Sequence, residues 1–219
     1  MKRIVLVLVL VLQGRALAAG EAQFDVLAGV MDTTKKELNA KQETEKGRKD
    51  FQNSKYGRLY KDGYWQFFQG KSNAPKGEYC TALFVREDML VSIMGPGGSY
   101  RGALMMFASL AGDSAFPRAA SSGKIKVTLK QGSDAPATVH ALNQLFGDNE
   151  IPVITFAVPS IEAALGGMED RLDFHLEYEG KTIGEIEWHA GLKARDELRK
   201  CLDGKPFYDK NPLKDKAIK

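Results

Sequence analysis

Apolar positions along this chain recur in two rhythms, and the change of rhythm divides it. Phe24, Leu27, Met31 and Leu38 recur at helical spacing. The run KQETEKGRK from Lys41 to Lys49 follows, without a large apolar residue. Residues 19–58 are therefore expected to form a charged helical or flexible arm, solvated or used to hold a partner. From Leu59 the rhythm changes to short strand patterns, and residues 59–203 are expected to form one β-rich domain. Tyr64 to Phe68 (YWQFF) fits a half-buried strand. Thr81 to Val85 and Met89 to Met94 flank the polar break Arg86-Glu87-Asp88, which suits a hairpin. Gly102 to Ala108 is a further apolar run, Thr138 to Leu145 a weaker one, and Ile151 to Val158 a strongly β-forming one. Lys124 to Lys130 alternates: Ile125, Val127 and Leu129 face inward, while Lys124, Lys126 and Lys130 face outward and would protect an edge.

Two helices and a hairpin complete the pattern. Ser160 is placed to cap a helix whose apolar face is Ile161, Ala164, Leu165 and Met168, and Gly166-Gly167 limits its length. Leu172, Phe174, Leu176 and Tyr178 share a strand face, as do Ile186 and Trp188 on the next strand. Pairing those faces calls for a three-residue loop, Glu179-Gly180-Lys181, because a two-residue loop would oppose the apolar residues to Glu185 and Glu187. A last helix from about Leu192 to Leu202 buries Ala194, Leu198, Cys201 and Leu202, and Gly204 and Pro206 end it. Residues 204–219 look like a solvated tail. The expected fold is mainly β (α+β): an antiparallel β-sandwich or open barrel with two short packed helices.

The first residues are read differently. Lys2 and Arg3 precede an unbroken apolar run from Ile4 to Leu12, and Ala16-Leu17-Ala18 forms an A-x-A site. Residues 1–18 are thus expected to be a secretory signal peptide, cleaved after Ala18 or Ala19. The apolar run is far shorter than the roughly 20 residues of a membrane span. A compact signal of this kind looks bacterial, which implies the periplasm or the exterior, with no membrane span in the mature chain. Its removal also changes the charge balance. The 219 residues carry 31 Lys and Arg against 28 Asp and Glu. Lys2, Arg3 and Arg15 leave with the signal and no acidic residue does, so 28 cations face 28 anions. Nucleic-acid binding through overall charge loses its support.

The cysteines are Cys80 and Cys201. In an oxidising compartment they suggest one disulfide, closing a loop of roughly 120 residues and worth about 4–5 kcal/mol in the chain-entropy model. Free thiols and a redox or nucleophilic role are the alternatives, although no C-x-x-C motif is present.

Candidate chemistry is sparse. Gly95 to Gly102 reads GPGGSYRG and lacks the Gly-Lys-Ser/Thr end of a phosphate-binding loop. It is read as a wide turn between strands, or as a recognition loop in which Gly97, Gly98, Tyr100 and Arg101 meet a partner. In the hairpin register His175 faces Glu185, and His189 lies on the side of Glu185 and Glu187. Cross-strand charge pairing is the simpler account of that patch, and a metal site the other. His140 has no evident partner. No nucleophile elbow is present. Paired carboxylates brought together only in three dimensions remain open, and Trp65 and Trp188 are expected in the core. No catalytic residue, metal or cofactor is therefore assigned.

The order of features from Trp65 onward resembles the invasion-associated locus B family of bacterial secreted or periplasmic β-rich proteins. A tryptophan strand (YWQFF) precedes a cysteine strand (YCTALF), and a hairpin strand and a short apolar strand follow. Val158-Pro159-Ser160-Ile161-Glu162-Ala163-Ala164-Leu165, a hairpin and a small-residue helix around Gly191-Leu192-Lys193-Ala194 come late in the chain. The likeness covers about 140 residues from Trp65 onward. The absence of a central cysteine pair, the closing Cys201 and the arm at 20–58 depart from the family pattern. The resemblance implies an exported β-sandwich or barrel-like protein acting at the cell envelope or in host contact, and carries over no catalytic residue. The expected function is a non-enzymatic binding module whose partner is a protein of the envelope or host. A hydrolase with a site assembled in space and a chaperone-like envelope assembly factor are the alternatives.

Overall fold

The computed structural model describes residues 24–42, 49, 53–112, 114–118 and 123–209. The expected signal peptide at 1–18, most of the Lys41–Lys49 run and the end of the tail lie outside the described residues. Nine strands form one antiparallel sheet. They are β1 (Tyr64–Gln69), β2 (Cys80–Arg86), β3 (Met89–Met94), β4 (Ala103–Ser109), β5 (Gly123–Gln131), β6 (Ala137–Phe146), β7 (Ile151–Val158), β8 (Leu172–Tyr178) and β9 (Lys181–Trp188). Four helices are described: α1 (Asp25–Gln42), α2 (Lys55–Asp62), α3 (Ile161–Gly166) and α4 (Gly191–Leu202). The spatial order is β1-β2-β3-β4-β7-β6-β5-β8-β9, and the sheet curls into a half-barrel.

The inside of the curl is lined by alternating apolar residues. Phe84, Phe107, Phe174 and Trp188 are all at most 1% exposed. The Phe107 and Phe174 rings lie 5.3 Å apart, Phe174 and Trp188 4.8 Å, and Trp65 and Trp188 5.5 Å. Side chains from the two ends of the sheet thus meet across the interior, each large one contributing about 1.5–3 kcal/mol by burial. Hydrogen bonds also tie β1 and β2 to the end of β9. Trp65 Nε1 donates to the His189 carbonyl (2.7 Å) and Arg86 to that of Glu187 (3.3 Å). Helix α4 packs beside β1 and β2, and the Cys80–Cys201 disulfide joins it to β2 with the Cα atoms 5.8 Å apart.

The described residues cover one half of the outside of the curl. Phe24, Leu27, Met31 and Leu38 of the N-terminal stripe are buried against Leu83, Val85, Leu90, Met106, Phe146 and Val153. The stripe therefore packs on the sheet through α1. Two carboxylates fasten it. Asp25 accepts from the Ser72 amide (2.9 Å) and hydroxyl. Asp32 accepts from the amides of Asp148 (2.9 Å) and Asn149 (3.1 Å) in the β6–β7 turn.

Two local expectations are corrected. The β8–β9 loop has two residues, not three. Glu179 (φ +51°) and Gly180 (φ +73°) both adopt the left-handed conformation that suits the twist of a tight hairpin. A β-bulge opposite Leu176/Glu177 absorbs the extra residue, so Leu172 still faces Trp188 and Phe174 still faces Ile186. The lysine-faced strand β5 is not an outer strand of the sheet. It lies between β6 and β8, because alternation reports which face is wet and not which edge is free. Ser160 does cap α3, accepting from the Ala163 amide at 3.1 Å.

Candidate functional site

The glycine corner between β3 and β4 is tighter than the wide turn expected. Gly97 and Tyr100 exchange both backbone hydrogen bonds at 3.1 Å, leaving Gly98-Ser99 as the tip. Gly98 (φ +58°) supplies the left-handed residue and donates its amide to Glu78 Oε2 at 3.0 Å. That carboxylate occupies a donor an anion would need. A Cβ on Gly97 would stand 2.5 Å from the Tyr79 ring, so only glycine lets the strands close there. Tyr100 turns inward: its hydroxyl lies 3.1 Å from the Ala103 carbonyl and 3.4 Å from that of Val158, and burial pushes it above the ordinary phenol value. Of the four residues singled out, Gly97 and Tyr100 brace the corner, and Gly98 and Arg101 are exposed.

The histidines do not converge. His175 Nδ1 lies 3.0 Å from Glu185, the cross-strand pairing expected, and its Nε2 3.2 Å from Asp173 on its own strand, on the outer face of β8 and β9. His189 leaves that patch, since its Nε2 donates to the Asp62 carbonyl (2.9 Å) and its ring stands edge-on to Phe84. His140 lies opposite Lys126 on the neighbouring strand. Among the described residues no group of three or more His, Cys, Asp or Glu side chains is arranged to hold a metal ion.

The feature that sequence reasoning missed lies along β5. The strand pairs with β6 from Gly123 to Leu129, but with β8 only from Thr128 to Gln131. The chain leaves β8 at Tyr178 to make the Glu179-Gly180 turn, so nothing among the described strands pairs with Lys124–Val127 on that side. An accessible backbone edge at Lys124, Ile125 and Lys126 is left beside the hairpin tip, and it ends at the fully buried Val127. A shallow depression of about 410 Å³ occupies the notch, lined by Lys124, Ile125, Lys126, Thr128 and Thr138 on one side and by Glu177, Tyr178 and Glu179 on the other. The hydroxyls of Thr128 and Thr138 meet at 2.8 Å across its floor. Lys124 and Lys126 are exposed, and neither forms an ion pair with a described residue. Glu179 hydrogen-bonds the Tyr178 hydroxyl and, with its charge, holds that phenol above its usual value. The only sequence signal was the lysine alternation itself, which marked a shielded edge without locating it.

Comparison of the chain with protein-family models, curated proteins and solved structures finds no match. Among the described residues, no helix is long and apolar enough to cross a membrane.

Proposed function

We propose that this chain is an exported, non-enzymatic binding module that acts at the bacterial cell envelope or in contact with a host, and that its partner is another protein. The half-open edge of β5 carries the reading. Unpaired main-chain groups on a strand are a template for another strand, and here they sit in an open notch beside exposed lysines. The Cys80–Cys201 bond supports a location outside the cytoplasm, as does the basic, apolar, A-x-A segment at 1–18. The likeness to invasion-associated locus B proteins supports an envelope or host-contact setting. Arg101, exposed on a braced corner, is a second contact point whose rigidity lowers the entropy cost of docking.

The test is a crosslinking pull-down with residues 19–219 from extracts of the native envelope, read by mass spectrometry. One dominant protein is expected, with recovery reduced by Lys124→Glu/Lys126→Glu and, less, by Arg101→Glu. Equal recovery by all three proteins would remove both contact points from the reading. The open edge also favours the envelope-assembly role as a second reading, under which many partially folded envelope proteins are captured instead of one.

A further inference from the structure

The geometry points to the kind of segment the notch takes: an extended peptide that adds as a strand to Lys124–Lys126, with acidic side chains on its outer face alternating with small apolar ones on its inner face. This inference rests on the binding-module reading and specifies its ligand. Three observations determine the pattern. The edge is open over Lys124, Ile125 and Lys126 and closed below by the fully buried Val127 and the Thr128–Glu177 pair, so an incoming strand is short and its register is stopped at one end. Lys124 and Lys126 stand two residues apart on the outer face, about 7 Å along the strand. Cross-strand neighbours on an added strand repeat at that same spacing, so acidic residues at alternate positions meet both ammonium groups. Ile125 and Val127 point to the opposite face, where Val127 is fully buried and Ile125 partly so. The residues that alternate with the acids therefore extend an apolar surface and must be small enough to fit beside the hairpin tip.

The second wall sharpens the choice. Glu177 and Glu179 flank the notch across from the lysines. A polyanion without a strand backbone gains from the lysines and is repelled by these carboxylates. A strand holds its acids against β5 through main-chain bonds and keeps them from the far wall. Charge alone is therefore not the recognition element; the unpaired amides and carbonyls of β5 are.

The experiment uses the full chain, exported from a bacterial host with its own N-terminal segment, and three synthetic ten-residue probes. The first alternates Glu and Val, the second has the same composition with all Glu residues together, and the third is the alternating peptide N-methylated at every second residue on its docking edge. Fluorescence anisotropy reads binding, and far-ultraviolet circular dichroism verifies that each variant is folded. The alternating peptide is expected to bind about tenfold or more tightly than either of the others. Lys124→Glu/Lys126→Glu should lose it by a similar factor and gain an alternating Lys–Val peptide. Equal binding of blocked and alternating peptides would mean charge recognition only and would overturn the proposal. So would equal binding of the N-methylated form, no binding of any probe, or no effect of the double substitution. If the probes fail while the pull-down still yields one partner that Arg101→Glu weakens, this inference falls and the binding-module reading stands.

Discussion

The outer face of the sheet is two surfaces joined along the β6–β5 boundary. One cross-strand row makes the comparison directly: Gln66, Leu83, Ser92, Met106, Thr155, Leu142 and Lys124 are successive neighbours from β1 to β5. At its start the row lies under α1; at its end it is in water. The covered half is not uniformly apolar. Gln66, Ser92 and Thr155 are at most 3% exposed, and Ser92 Oγ and Thr155 Oγ1 have no hydrogen-bond partner among the described residues. Burial also pushes the Tyr64 hydroxyl in the same region above its ordinary value. The uncovered half has the opposite character, with its lysines, threonines and carboxylates solvated or paired across strands. The difference teaches that α1 stays on the sheet through a few large apolar contacts and two carboxylate clamps, against a local cost of about 1–3 kcal/mol for each orphaned group.

Four measurements would break or sharpen that contrast. The largest effect sets the scale. Replacing Cys80 and Cys201 with serine should cost about 4–5 kcal/mol in urea unfolding, because the bond closes a long loop between β2 and α4. Next, Leu27→Ala, which empties a site 1% exposed under α1, should cost about 2–5 kcal/mol. Lys126→Ala on the open half should stay within about 0.5 kcal/mol. Similar values for the two would erase the distinction between the halves. Thr155→Val removes an orphaned hydroxyl at constant shape and should be neutral or stabilising by up to about 1 kcal/mol. A loss of stability there would mean that the hydroxyl has a partner.

The smallest effect is that of pH. The Ser72 hydroxyl and amide hold the Asp25 carboxyl below its ordinary value. Its folded-state pKa is depressed, so its contribution is complete at neutral pH, above the unfolded-state pKa. It is lost as pH falls through the ordinary carboxylate range to the lowered folded-state value. After correction for the intrinsic exchange rate, amide protection near the start of α1 should fall on acidification, and Asp25→Asn should remove most of that change. An unchanged pH profile in Asp25→Asn would remove Asp25 as its source.

Much of this architecture is legible in the residues, and the illegible parts share a cause. Ile151–Val158 and Met89–Met94 are strands with the bounds their apolar runs suggest, and Ser160 caps α3 as its position predicts. His175 faces Glu185 because the apolar residues of β8 and β9 leave a single workable register. The bulge opposite Leu176/Glu177 escapes the same reasoning, since a three-residue loop and a two-residue turn with a bulge give the same pairing beyond it. The destination of the Phe24–Leu38 stripe depends on which sheet face is left uncovered. The open edge at Lys124–Lys126 depends on where a strand about fifty residues later turns away. At the glycine corner, side-chain type suggested exposure for Tyr100, and only the Ala103 and Val158 carbonyls show it folded in.

The single bridge between Cys80 and Cys201 has a consequence for manufacture. With two thiols in the chain there is one intramolecular pairing, so oxidation cannot scramble and no isomerase is needed to correct it. The second cysteine lies on α4, 121 residues behind the first, so the bond cannot close until the chain through Cys201 has been made available. A chain made only as far as its middle strands holds Cys80 as a lone thiol. The bridge thus works as a folding mark: a chain that has it has delivered α4 to the sheet.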